Sequence, residues 1–181
     1  MLEPKELAVK RIFGLWDSLV NTIQPAGEWI ALLPIRLLMS YEFGKAGFGK
    51  YAADGVPNWF ANTQDNFLFP FNVIPAEISW FLVTWTEVLG SIGLFFGLFT
   101  RFWAFSLIIL TIVAISGVHW PGDWSSLSEL WEGYRVSRDG DSGNFRIPLL
   151  FITMLIPMVF AGGGKLSLDQ LLRGRLGSRF R

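Results

Sequence analysis

The sequence predicts an all-α membrane protein, a four-helix transmembrane bundle with amphipathic surface helices at the N- and C-termini. The 181 residues are 51% hydrophobic and 16% aromatic, and the charges collect between long apolar runs. Residues 78–98 form one such run, and a hydrocarbon core of about 30 Å needs about 20 helical residues. Glu87 is the only ionisable residue in it. Because a charge at the bilayer centre costs roughly 3 kcal/mol, an acid there is expected to have a partner or a function.

The overall composition excludes several classes of function. A formal net charge of zero gives no support for nucleic-acid binding. The absence of cysteine excludes disulfides, iron–sulfur ligation and thiol catalysis in this chain. A single histidine leaves little for a zinc or haem site, so no metal site is predicted.

The two ends of the chain are predicted to lie on the membrane surface. In residues 1–27 apolar side chains recur at helical spacing opposite polar ones, and we expect this helix to end at residues 25–27. The apolar positions are Val9, Ile12, Phe13, Trp16, Val20 and Ile23. Charges within this segment and the lack of a small-residue cleavage pattern argue against a cleavable signal. Residues 166–181 form a basic amphipathic tail, predicted to lie along the inner leaflet.

Four segments of the membrane domain, residues 28–165, are predicted to span the bilayer: 29–48, 78–98, 102–118 and 147–161. The first contains Pro34 and three charged residues, and a three-residue hairpin joins the second to the third. Lysine and arginine are more frequent on the side of the termini, which predicts that both termini are cytoplasmic. The loops 49–77 and 119–146 are then external. The first loop is too apolar to extend into water and is expected either to fold back onto the membrane or to cap the bundle. A capping box at residues 126–129 predicts a short helix in the second loop.

Two charges are predicted to meet inside the bundle. Arg36 and Glu87 each lie near the middle of a predicted span, on neighbouring antiparallel helices. Their pair is either a structural ion pair or a relay for protons or a ligand. Thr84 and Ser91 share the helical stripe of Glu87 and are added as candidate site residues.

A second polar cluster is predicted nearer the outer surface. Glu42 and Lys45 are three residues apart, a spacing that lets them pair on one helix face. The remaining members flank the third and fourth spans at a similar height: His119, Trp120, Asn144 and Arg146. A histidine near a carboxylate can bind metal or transfer protons, but one beside Trp-Pro at an interface is more often a hydrogen-bonded anchor.

Three further motifs are interpreted as structural features, without a role in binding or catalysis. Gly93 and Gly97 permit close helix approach. Met39, Met154 and Met158 resemble a soft copper site, but methionine as core filler is the favoured interpretation. Residues 162–166 lack the spacing and hydroxyl residue of a phosphate-binding loop.

Several short motifs together resemble the DoxX family. They are Arg36 in Leu-Pro-Ile-Arg-Leu-Leu, the glycine- and lysine-rich stretch 44–50, Glu87 in Thr-Glu-Val-Leu-Gly-Ser-Ile-Gly-Leu, and the segments 97–101 and 162–169. The similarity extends from about Ala31 to Leu172. It implies a four-helix protein of the bacterial inner membrane, and no catalytic residue is carried over from it.

A finer resemblance points to one group within that family, the X-type membrane proteins of copper-binding modified-peptide (bufferin-like) maturation operons. The matching segments are 69–72, 118–121, 124–127 and 143–145. This resemblance implies an accessory role in maturation or in redox and copper handling of such a peptide, with a peptide-modifying enzyme and its partner protein nearby. A quinone-linked oxidoreductase subunit and a small transporter using Arg36 and Glu87 are the alternatives. No cofactor motif is present, although a quinone needs only an apolar slot with a few polar groups, and a homo-oligomer is compatible with the sequence.

Overall fold

A computed structural model describes residues 4–132, 134 and 143–177 of the chain. The remaining residues of the two predicted terminal segments, 1–3 and 178–181, lie outside the described part. Within the described residues all regular structure is helical: α1 Pro4–Ile30, α2 Leu33–Tyr51, α3 Asn58–Thr63, α4 Ala76–Phe96, α5 Thr100–Ala114, α6 Leu127–Glu132, α7 Arg146–Ala161 and α8 Leu168–Gly177. A 3-10 turn, Gln64–Asn66, follows α3, and a π-helical turn, Ile115–His119, continues α5.

Four helices pack in a ring, in which α2 contacts α4, α4 contacts α5, α5 contacts α7 and α7 contacts α2. Their inward faces meet in a core of Met39, Phe43, Leu94, Ala104, Leu107, Leu155 and Met158. Methionine acts here as core filler, as expected. We call the end of the ring with the α4–α5 turn the hairpin end, and the end with residues 52–75 and 120–145 the loop end.

Two helices among the described residues are long and apolar enough to cross a membrane, Ala76–Phe96 and Thr100–His119. They correspond to the predicted second and third spans. Helix α7 is apolar but has only 16 residues, and α2 carries four charged side chains. The prediction of an all-helical fold is therefore confirmed for the described residues, and two of the four predicted spans are long and apolar enough to cross a membrane.

Two predicted helix boundaries are wrong. Helix α1 continues through Pro25 to Ile30 instead of ending at residues 25–27. A proline leaves the carbonyl four residues earlier without its helical partner, and α1 tolerates this because Asn21 is exposed to solvent. Helix α2 begins at Leu33, four residues later than predicted, with Pro34 in its first turn, where a missing N–H is not needed. Arg36 consequently lies at the start of α2.

The α4–α5 hairpin depends on its glycines. Gly97 adopts φ 65° and ends α4, while the N–H of Leu98 donates to the carbonyl of Gly93 at 2.8 Å, which is a Schellman motif. A Cβ at Gly93 would lie 2.2 Å from the ring of Trp103. Gly93 therefore permits the close helix approach, whereas Gly97 forms the turn.

Residues 58–75 fold over the loop end. Phe60 packs against Phe67 and Trp80, with ring centroids 5.4 and 4.9 Å apart. The buried amide of Gln64 donates to the carbonyl of Ile74 at 2.9 Å and contacts the hydroxyl of Ser79 at 2.8 Å. These contacts hold the apolar loop as a cap on the bundle, at the start of α4.

Candidate functional site

A cavity of about 680 Å³ lies inside the ring, in the half nearer the loop end. We call it the central cavity. Its aromatic wall consists of Phe43, Trp59, Phe60, Phe67, Phe71 and Phe151. Its polar wall includes Glu42, Lys50, Thr86, Glu87, His119 and Asn144. Pockets that hold small organic ligands have volumes of roughly 300–1,000 Å³ and the same composition, an apolar surface with a few polar groups.

An ion pair between α2 and α4 lies in the cavity wall. The ammonium of Lys50 is 2.7 Å from one carboxylate oxygen of Glu87 and 2.9 Å from the other. The side chain of Glu87 is 6% exposed and that of Lys50 is 21% exposed. The two helices approach closely because a Cβ at Gly47 would lie 2.8 Å from the Cβ of Glu87 and from the backbone nitrogen of Val88. This contact sets the register that brings Lys50 to Glu87.

The predicted pair of Arg36 and Glu87 is wrong. Arg36 is buried at the hairpin end, where its guanidinium donates hydrogen bonds to the carbonyls of Gly163 and Leu166, the latter at 2.8 Å. The prediction placed Arg36 halfway along its span, but it lies in the first turn of α2. It also ended the span before Lys50, which is the residue that pairs with Glu87.

Asp169 ties the α4–α5 turn to the start of α8, at the same end of the ring as Arg36. We call its three hydrogen bonds to Gly97, Phe99 and Thr100 the clasp. Asp169 accepts hydrogen bonds from the backbone N–H groups of Phe99 at 2.8 Å and Thr100 at 2.9 Å. Its own N–H donates to the carbonyl of Gly97 at 2.9 Å. Phe99 has φ 51°, a conformation that costs energy for a residue other than glycine. Asp169 thereby holds the strained start of α5 and ties α8 to the hairpin.

The remaining predicted residues of α2 and α4 separate. Glu42 lines the central cavity, whereas Lys45 lines a shallow groove between α2 and α4 on the outside of the helix ring. Glu42 and Lys45 therefore lie on different surfaces of α2, and the expected pairing of the two is wrong. Residues three apart on a helix point about 60° away from each other, and here the wall of the cavity separates them.

Thr84 and Ser91 are buried on the face of α4 that packs against α2. The backbone carbonyl of Ser91 accepts a hydrogen bond from the hydroxyl of Ser40 at 2.7 Å. Thr84 is 5% exposed and is outside the cavity wall. Of the predicted stripe, only Glu87 faces the cavity.

His119 and Asn144 meet at the cavity. The imidazole Nδ1 of His119 is hydrogen-bonded to the amide oxygen of Asn144, and the backbone N–H of Asn144 donates to the carbonyl of His119 at 3.0 Å. Because an amide oxygen only accepts, Nδ1 carries the proton, and the Nε2 of a neutral ring remains an acceptor. The π-helical turn places His119 here, since the N–H of Trp120 bonds the carbonyl of Ile115 five residues back.

Trp120 and Arg146, which were also predicted for the outer cluster, lie close to His119 and Asn144 in the chain and outside the cavity wall. The ring of Trp120 is 5.4 Å from that of Phe145, and the guanidinium of Arg146 lies 5.4 Å from the ring centre of Tyr134. The predicted proximity of the segments around His119 and Asn144 therefore agrees with the structure. The sequence did not distinguish the residues that face the cavity from those that support the loop.

Fold and site together define the class, a helical bundle with a cavity between its helices, two of which are long and apolar enough to cross a membrane. The DoxX family profile matches residues 31–120, the part of the chain from the start of α2 to the π-helical turn. A Haemophilus influenzae protein named only as uncharacterized is 36% identical over 151 residues, which is 83% of this chain and 89% of that protein. The chain belongs to the DoxX family of membrane proteins. No solved structure matches it.

Proposed function

We propose that this protein binds a small, lipid-soluble ring compound of the quinone type in the central cavity. The observation that carries the proposal is the Lys50–Glu87 ion pair in the wall of an otherwise largely aromatic and aliphatic cavity of about 680 Å³. Aromatic side chains suit a flat ring, and a few buried polar groups suit its oxygens.

The polar groups have distinct roles in this proposal. An ammonium has three N–H donors, of which Glu87 takes at most two, so Lys50 has one for a ligand oxygen. His119, oriented by Asn144, offers Nε2 as an acceptor for a ligand hydroxyl. The hydroquinone form, with a hydroxyl on each side of its ring, can accept a hydrogen bond from Lys50 and donate one to His119 on a different wall.

Binding is the direct test. Protein in lipid nanodiscs should bind a benzoquinone, and Lys50→Met should weaken the affinity at least about tenfold, the value of one charge-assisted hydrogen bond. Lys45→Met is the matched control, because Lys45 lies on the same helix outside the cavity. Should Lys50→Met fold poorly, His119→Gln provides a second variant, tested with the matching hydroquinone, because a quinone carbonyl cannot donate to Nε2. Absence of binding to the wild type, or equal losses in the Lys50 and Lys45 variants, would contradict the proposal.

We further propose that α2 and α7 cross the bilayer with α4 and α5, in the bacterial inner membrane, with both termini cytoplasmic. Arg101, Lys165 and Arg173 at the hairpin end support this orientation. In it, α1 and α8 lie on the cytoplasmic surface, and the exposed apolar side chains of α1 suit that position. Since the chain has no cysteine, single cysteines at Asp123 and Gly174 can be labelled with a membrane-impermeant maleimide. We expect labelling at 123 and protection at 174 in spheroplasts; the reverse pattern would invert the topology.

As a biological role we propose an accessory function in the maturation, or in the redox and copper handling, of a copper-binding modified peptide. The segments that resemble the proteins of such operons support it, because Phe71, Val118, His119 and Asn144 line the central cavity. A quinone-linked oxidoreductase subunit is the second candidate, favoured by the free Nε2 of His119. Co-purification with a peptide-modifying enzyme would support the first, and quinone reduction by a purified complex the second. A transporter built on Arg36 and Glu87 is no longer supported, because the two do not meet.

A further inference from the structure

The central cavity extends outward between α4 and α5. Near the hairpin the two helices are in contact, since a Cβ at Gly90 would lie 3.1 Å from the side chain of Leu107. Nearer the loop end, cavity space lies between them. Its walls there are Leu82, Val83 and Thr86 of α4 and Ile109, Leu110 and Val113 of α5. We call this part of the cavity the side cleft.

The side cleft lies between the two helices that are long and apolar enough to cross a membrane, Ala76–Phe96 and Thr100–His119. Leu82 and Ile109 line the cavity there and are 43% and 40% exposed. An opening between these two residues would face the layer in which those helices lie.

The charged groups and the imidazole of the cavity are separated from the side cleft. Lys50 and Glu87 lie on the α2 side, and His119 with Asn144 lies at the loop end. The six side-cleft residues are aliphatic apart from Thr86, and the other cavity residues of α4 and α5 include the uncharged hydroxyls of Ser79, Ser106 and Thr111. A ligand with one polar head and one hydrocarbon tail matches this division, because the head reaches the polar walls while the tail stays in surroundings as apolar as lipid.

We propose that the ligand carries a hydrocarbon tail that lies in the side cleft and leaves the protein into the lipid. The ligand then enters sideways from the bilayer, with no passage through water. This inference rests on the proposed function and specifies the class of compound.

The test compares two probes, a decyl-tailed benzoquinone and a benzoquinone of the same ring with a methyl group in place of the tail. Their affinities are measured in nanodiscs for the wild type, Val113→Phe and Ile112→Phe. The two substitutions are neighbours on α5, but Val113 lines the cavity whereas Ile112 does not and is 42% exposed. For each probe, the affinity of a variant is divided by that of the wild type. The partition of that probe into the lipid is the same in both measurements and cancels in the ratio.

We expect Val113→Phe to weaken the tailed probe at least about tenfold and the tail-less probe less than about twofold, because a phenyl ring overfills the cleft. Ile112→Phe should leave both affinities unchanged. Val83→Phe, which fills the cleft from α4, replaces Val113→Phe if that variant does not fold. Equal effects on both probes, or none, would overturn the tail in the side cleft while leaving ring binding intact. Failure of both probes on the wild type would overturn the proposed function, and the tail with it.

Discussion

Removal of the carboxylate of Glu87 should destabilise the fold, because it leaves the ammonium of Lys50 beside an apolar cavity. Loss of one partner from a buried ion pair costs about 3–5 kcal/mol. Lys50 is 21% exposed, so we expect the lower end, about 3 kcal/mol, for Glu87→Gln. Lys50→Met should cost a similar amount. The double variant should lie within about 1 kcal/mol of either single variant, which gives a coupling energy of about 2–4 kcal/mol.

The free energies of unfolding can be measured by titrating detergent-solubilised protein with a denaturing detergent and following the fluorescence of its nine tryptophans. Glu42→Gln is the matched control, because Glu42 also faces the cavity, about two helical turns before Lys50 on α2, but is outside the ion pair. We expect that variant to stay within about 0.5 kcal/mol of the wild type. Additive losses in the double variant, or a loss for Glu87→Gln no larger than that of the control, would refute the buried pair.

Three further predictions test the packing and the loops. Gly47→Ala should lose about 1–3 kcal/mol, since its Cβ would lie 2.8 Å from the α4 backbone. Gly49→Ala, with nothing within 4 Å, should be neutral or slightly stabilising, and equal melting temperatures would contradict the close contact. Asp169→Ala should cost about 2 kcal/mol by removing both hydrogen bonds at the start of α5, and Asp169→Asn about half of that; chemical denaturation that ranks them otherwise would disprove the clasp. The N–H of Ser125 donates to the carboxylate of Glu129 and lowers its pKa, so the hydrogen bond is present at neutral pH. It should be lost as the pH falls through the lowered pKa, and an NMR titration with a midpoint at or above the ordinary value of 4.5 would contradict it.

The helices of the uncharged segments could be predicted from the sequence, and α2 could not. Residues 102–118 carry no charge and residues 78–98 carry only Glu87, so length and composition locate α4 and α5 to within a few residues. In α2 the apolar pattern is interrupted by charges, and a proline is compatible with either a kink or a first turn. Because the predicted span began at residue 29, before Pro34, Arg36 was placed too far from the start of its helix.

The sequence predicts which segments supply the candidate site residues. It does not predict the register between helices, which decides which side chains face the cavity. The meeting of His119 with Asn144 follows from their positions at the ends of two neighbouring spans. Which face of a helix lines a cavity depends on how its neighbours pack, and Trp120 and Arg146 were therefore included although they support the loop. Lys50 and the glycines of the stretch 44–50 were noted in the sequence, but their roles follow only from the structure. The close contact of Gly47 with α4 is what places Lys50 beside Glu87.

The assignment of Glu87 to one of two cations is a question of register between α2 and α4. Arg36 and Lys50 are separated by almost four helical turns, so both point into the ring at positions about 21 Å apart. A single acid on the facing helix can reach only one of them. The contact of Gly47 with the backbone at Glu87 selects Lys50 and leaves Arg36 to the carbonyls of Gly163 and Leu166. The register of two helices thereby gives one cation a structural role and places the other in the wall of the cavity, where it can meet a ligand.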